Sequence, residues 1–256
     1  MSLATLLALV TFASLVAYAV LAGADFGAGI WDLLSFGKRR TGHREALAHA
    51  IGPVWEANHV WLIFLVVLLF TCFPAAYAQA SVALFWPLHL VLIGIVLRGA
   101  AYVFRAYAAG SDATRDAWGG VFGASSAVTP ILLGTCLGAL STGDPYRWYE
   151  PFPIATGVLA LAICAYLAAV YLAWESHDAQ LRDDFRRRAL AIWWAAGIAS
   201  IAVLFLARSE AARLWTGLTS MPGVLFIAAG SALAPISFAA LLPSLWFLFR
   251  VFKTAR

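Results

Sequence analysis

Charge is what this sequence has least of. Its 256 residues include 17 Lys and Arg and 13 Asp and Glu, 12% of the chain, where an ordinary globular domain carries about 25%. Apolar side chains make up 63% and the mean hydropathy is +0.85. A water-soluble domain of this size has too much surface to cover with so few polar groups, so that class is excluded. Cysteine is scarce as well. Cys72, Cys136 and Cys164 stand apart within or beside apolar runs, with no CxxC or Cys/His spacing, which argues against disulfides and a zinc site. A Walker A sequence, a GxGxxG after a strand, a Ser/His/Asp set on a soluble scaffold and an internal repeat are missing too. The net charge of +4 does not point to nucleic acid, because the basic residues sit in short stretches between apolar runs.

What the sequence does have is long apolar segments, near 3–30, 51–71, 82–102, 121–140, 152–174, 190–207 and 224–249. Each is close to the ~20 residues that cross a hydrocarbon core of ~30 Å, and continuous Leu, Ala, Val and Ile favour helices over the alternating strands of a barrel. An all-α polytopic membrane bundle of about seven spans is expected, with 1–256 forming one integral membrane domain. No positive charge precedes the first run, and Lys38, Arg39 and Arg40 follow it, so it reads as a retained helix rather than a signal peptide. With the N-terminus outside, thirteen of the 17 Lys and Arg fall on the inner side and three, Arg147, Arg208 and Arg213, on the outer. The expected topology is therefore N-out and C-in. The charged stretch 175–188 reads as a solvated cytoplasmic loop.

Polar residues within the spans carry the functional information, because an ionisable group in hydrocarbon is costly and rarely kept without a role. They concentrate in GADFGAGIWD and IGPVWEANHVW. Asp25 lies 13 residues before Lys38 and Glu56 lies 12 after Arg44, which places both at most ~20 Å inward at helical rise. On neighbouring helices, two partly dehydrated carboxyls at similar depth can share a track open to the inside and pass protons. They can equally be buried hydrogen-bonding groups that tie helices together. Gly23, Gly27 and Gly29 allow close helix packing. Pro53, beside Trp55 and before Trp61, bends the second span near Glu56, and Asn58 and His59 add polar groups on the next turn.

Other pairings are weaker. Glu56 and His59 form an E-x-x-H spacing, but the further carboxylates and second E-x-x-H of a di-iron site are lacking. His59 and His89 are candidate axial ligands of a haem only under a favourable stagger of two helices. Arg98 either snorkels to the inner boundary or neutralises a buried carboxylate.

Together these motifs resemble subunit II of the cytochrome bd quinol oxidases. That family shows a Gly-Phe-Asp-x-Gly-x-Gly run, matched here by Asp25, Gly27 and Gly29. It then shows a Pro-x-Trp-Asp-x-Asn-x-x-Trp run, matched by Pro53, Trp55, Asn58 and Trp61, with Glu56 where the family has Asp. LRGAAYVFRAY and WGGVFGASSAVTPILLGTCLG are similar to its third and fourth helices. The likeness covers residues 1–140 best, and 141–256 would be a shortened C-terminal half. The resemblance implies a quinol-oxidising, O2-reducing complex in the bacterial inner membrane. Its subunit I would carry haem b and haem d, with room for a small accessory subunit beside lipid and quinone. This chain would bind no haem itself, hold no metal, and contribute an inward proton route at Asp25 and Glu56. The other reading is a proton-coupled transporter or channel without redox chemistry; a neighbouring reading frame for a large membrane partner with haem ligands would support the oxidase, and its absence would favour the transporter.

Overall fold

In hydrocarbon a helix satisfies its own backbone groups, and runs of this length have little alternative. The computed structural model describes residues 2–35, 47, 58–107, 112–176, 178–221 and 223, and among them helix is the only regular structure. The elements are α1 (Leu3–Leu33), α2 (Asn58–Cys72), α3 (Pro74–Ala83), α4 (Phe85–Tyr107), α5 (Asp112–Thr142), α6 (Pro151–Glu175), α7 (Ala179–Glu210) and α8 (Ala212–Thr219). Five of them, α1, α4, α5, α6 and α7, are long and apolar enough to cross a membrane, and α2 with α3 makes a sixth if the bent pair counts as one. The expected seventh segment, 224–249, lies outside the described residues, as do Pro53, Trp55, Glu56 and the basic residues 38–44.

Two local departures from the sequence reading have clear causes. First, α2 and α3 meet at 114°. Pro74 opens α3 without an N–H to donate and disfavours the helical conformation at Phe73, so the helix breaks there. Second, the stretch 175–188 is not a loop. Helix α6 continues to Glu175 and α7 begins at Ala179, and Asp178 caps α7, its carboxylate accepting from the Gln180 backbone N–H at 2.8 Å. The charges that suggested a loop lie on the first turns of α7, where Phe185 is fully buried and the Arg188 guanidinium stacks on the Trp31 and Phe185 rings. A charged first turn at a membrane boundary keeps its heads in water while its apolar face packs.

Helices α4, α5, α6 and α7 each pack on the next, and α1 lies against α5 and α6. The core joins Tyr18, Ala22, Phe26, Ile30 and Trp31 of α1 to the small residues Cys164, Ala165, Ala168 and Ala169 of α6. Trp31, near the inner end by sequence, is buried and donates its indole N–H to the Ala165 carbonyl at 2.8 Å. Small residues permit this approach, as membrane helix interfaces require. At Gly27 a Cβ would overlap the Cys164 carbonyl and stand 2.6 Å from the Ala168 Cβ. At Gly23 it would meet only the Leu167 Cδ1, at 2.6 Å, which is the movable tip of a side chain. Gly27→Ala is therefore expected to force α1 and α6 apart and cost about 1–3 kcal/mol, an overpacking penalty. Gly23→Ala is expected to change little. Thermal unfolding of the two detergent-solubilised variants checks this, and equal midpoints would contradict it.

Candidate functional site

The most buried carboxylate of α1 defines the site. Asp25 is 1% exposed and Arg98, from the middle of α4, is 3% exposed. Their side chains form a two-pronged ion pair, with Arg98 Nη2 donating to Asp25 Oδ1 at 2.6 Å and Nη1 to Oδ2 at 2.8 Å. Nη2 also donates to the Asp25 backbone carbonyl at 3.0 Å, and Nε donates to Ser126 Oγ of α5 at 2.8 Å. The guanidinium plane lies between two rings, 5.1 Å from the centroid of Phe26 and 4.8 Å from that of Phe122. From α2, Asn58 Nδ2 donates to Asp25 Oδ2 at 3.1 Å. Four helices thus converge on one pair of opposite charges. Multiple hydrogen bonds and ring faces are what a buried ion pair needs to offset its desolvation.

Of the two roles open to Arg98, the structure places it against the carboxylate. Gly29 adjoins the same network, because a Cβ there would collide with the Ser126 side chain that accepts from Arg98. His59 lies beside Asp25 and Arg98, lining the same small cavity as Tyr18 and Asn58. His89 is exposed, with its Nδ1 2.7 Å from the Phe85 carbonyl oxygen. Nine residues separate it from Arg98, which is half a rotation of the helix, so it faces away from His59. The structure does not bring the two histidines together. Trp61 is 36% exposed and makes an edge contact with Phe64 of its own helix. No group of three or more His, Cys, Asp or Glu among the described residues could hold a metal ion.

A second ion pair, missed in the sequence, repeats the first. Arg105 Nη1 donates to Asp32 Oδ2 at 2.5 Å, with Asp32 2% exposed and the Arg105 side chain 25% exposed. Both pairs join residues 73 apart in sequence, so α1 and α4 run in the same direction and carry two matched rungs. Seven residues separate the rungs on each helix, about 10 Å at helical rise. The signal was present as equal spacings, Asp25 to Asp32 and Arg98 to Arg105. On α1 the buried positions Ser14, Tyr18, Leu21, Asp25, Ala28 and Asp32 alternate steps of four and three, so one stripe carries all of these polar groups.

A family model described as Cytochrome bd terminal oxidase subunit II matches residues 3–255. Cytochrome bd-I ubiquinol oxidase subunit 2 of Escherichia coli (strain K12) is 29% identical over 174 residues, 62% of this chain and 45% of that protein. Cytochrome bd ubiquinol oxidase subunit 2 of Bacillus subtilis (strain 168) is 32% identical over 134 residues, 51% of this chain and 38% of that protein. The alignments thus span less than half the length of these two curated relatives. The solved structure of bd oxidase from Geobacillus thermodenitrificans shares the fold, with a TM-score of 0.72 at 22% identity over 97% of this chain and 76% of that one.

Proposed function

The chain belongs to the cytochrome bd terminal oxidase subunit II family, and from that premise we propose that it is the haem-free subunit of a quinol:O2 oxidoreductase complex. Its partner would be a haem-bearing subunit I holding haem b and haem d, in the bacterial cytoplasmic membrane, with quinol as the substrate of the complex. The N-terminus faces outward and the C-terminus inward, following the bias of Lys and Arg. Residues 1–256 act as one membrane domain.

The observation that carries the reading is the Asp25 network, which stands on the residues of the two family-like motifs and is enclosed by four helices. In this proposal Asp25 and Glu56 form the inward proton route, with Asn58, His59 and Arg98 in support. The guanidinium has anchors besides the carboxylate, in Ser126 Oγ, the Asp25 backbone carbonyl and the rings of Phe26 and Phe122, so the network fixes Arg98 beside Asp25 where four helices meet. His59 and His89 face apart, which does not suit a haem held between them.

Purification tests this assignment. The chain is expected to be extracted with a haem-bearing membrane partner, the complex showing the optical bands of haem b and haem d, and to carry no haem when produced alone. Stoichiometric haem on the isolated chain, lost on changing His59 or His89, would overturn it.

A further inference from the structure

Among the described residues, the ion-pair network leaves two buried groups beside Asp25 without a protein partner. The Tyr18 hydroxyl and Asn58 Oδ1 have no hydrogen bond among the described residues, although Tyr18 is 5% and Asn58 3% exposed. Both line one cavity, together with Asp25, His59 and Arg98. Its volume is about 10 Å³, which is the room one water needs and far less than any organic ligand would occupy. The Asn58 amide is oriented by its own bond. Its Nδ2 faces the Asp25 carboxylate, since an oxygen there would meet another oxygen, and Oδ1 is left to accept from something else.

The chemistry of the lining specifies the occupant. Asn58 Oδ1 accepts only, whereas the Tyr18 hydroxyl both donates and accepts. A water accepts from Tyr18, donates one proton to Asn58 Oδ1 and has a second proton for the Asp25 carboxylate, the three bonds usual for buried water. Without it each orphaned group would forfeit a hydrogen bond in a low-dielectric interior.

We propose that Tyr18 and Asn58 hold a single water against Asp25, and that this water is the group through which protons reach and leave the Asp25 carboxylate. The proposal rests on the proton-route reading given above. The step is conservative: a proton delivered along the route adds to the water oxygen as one of the water's own protons passes to an Asp25 oxygen. The water is regenerated, one O–H bond forms on Asp25, and the reverse sequence restores the carboxylate. Tyr18 stays neutral and unchanged throughout. It is a positioning residue, and the sequence offered no sign of it, because a tyrosine within an apolar run reads as core.

The test uses the assembled oxidase complex and Tyr18→Phe, which keeps the ring and removes the hydroxyl. In a high-resolution cryo-EM map of the parent complex, density for one water is expected between the Tyr18 oxygen and Asn58 Oδ1, and it is expected to be lost in Tyr18→Phe. Oxygen consumption per assembled complex should fall several-fold, with a larger H2O/D2O rate ratio and an unchanged KM for quinol. A dry cavity in a parent map that shows other buried waters would overturn the proposal, as would loss of the water at an unchanged rate. Glu56→Gln, measured alongside, separates the two readings. If it runs at the parent rate, the proton-route reading falls and the water's role falls with it. If it is slow and Tyr18→Phe is not, only the role given to the water is wrong.

Discussion

Replacing Arg98 with leucine is expected to abolish recovery of the folded subunit. The change strips Asp25 of both prongs of its ion pair and leaves Ser126 Oγ without the donor it faces. Removing one member of a buried pair costs about 3–5 kcal/mol, a large part of the ~5–15 kcal/mol by which proteins are usually stable. Leu cannot reproduce the bonds to Asp25 and Ser126 or the contact between the Phe26 and Phe122 rings. The same reasoning predicts that the double variant Asp25→Leu with Arg98→Leu recovers much of the lost assembly. Replacing a whole buried ion pair by apolar groups is often neutral or stabilising. Turnover should stay low in the double variant, because the titratable carboxyl is gone. Yield and thermal midpoint of the size-separated complex decide the matter. Normal recovery of Arg98→Leu would show that the pair contributes little to the fold.

The largest effect expected on activity alone is at Glu56. Glu56→Gln keeps shape and hydrogen-bonding capacity but cannot titrate, so the complex should assemble. Oxygen consumption per complex should drop by about 10²-fold, the scale seen when a positioned proton donor is removed. Glu56→Asp shortens the acid by one methylene, restores the residue typical of the family, and should be mild. Asp25→Asn is the less clean companion. It leaves Arg98 a neutral amide in place of its buried counter-charge, so it is expected to lower stability as well as rate. An unchanged rate in Glu56→Gln would remove Glu56 from any proton route and leave it a packing group.

Different parts of this molecule were legible in the sequence to different degrees, for physical reasons. The long helices were plain, because uninterrupted apolar runs have one low-energy state in lipid. The importance of Asp25 and Arg98 was plain too, since each is an ionisable group within a span. Their partnership was not, because 73 residues separate them and nothing local fixes how α1 and α4 are rotated. Asp32 and Arg105 were likewise unconnected in the sequence, although their spacings from Asp25 and Arg98 match. Ser126 and Tyr18 were invisible for another reason. A hydroxyl within an apolar helix usually bonds to its own backbone, as Ser126 Oγ does to the Phe122 carbonyl at 2.7 Å, and sequence does not show that this oxygen also accepts from Arg98. Phe73–Pro74 carried a readable signal for the sharp turn after α2, but its angle depends on the packing of the neighbouring helices.

The matched rungs between α1 and α4 bear on biogenesis. During synthesis α1 emerges 73 residues ahead of the arginines that neutralise it, so Asp25 and Asp32 meet the translocon before either counter-charge exists. A first helix carrying two carboxylates is a poor candidate for early release into lipid. A slip of one turn between α1 and α4 would break both rungs, so in the folded subunit the two pairs tie the depth of one span to that of the other.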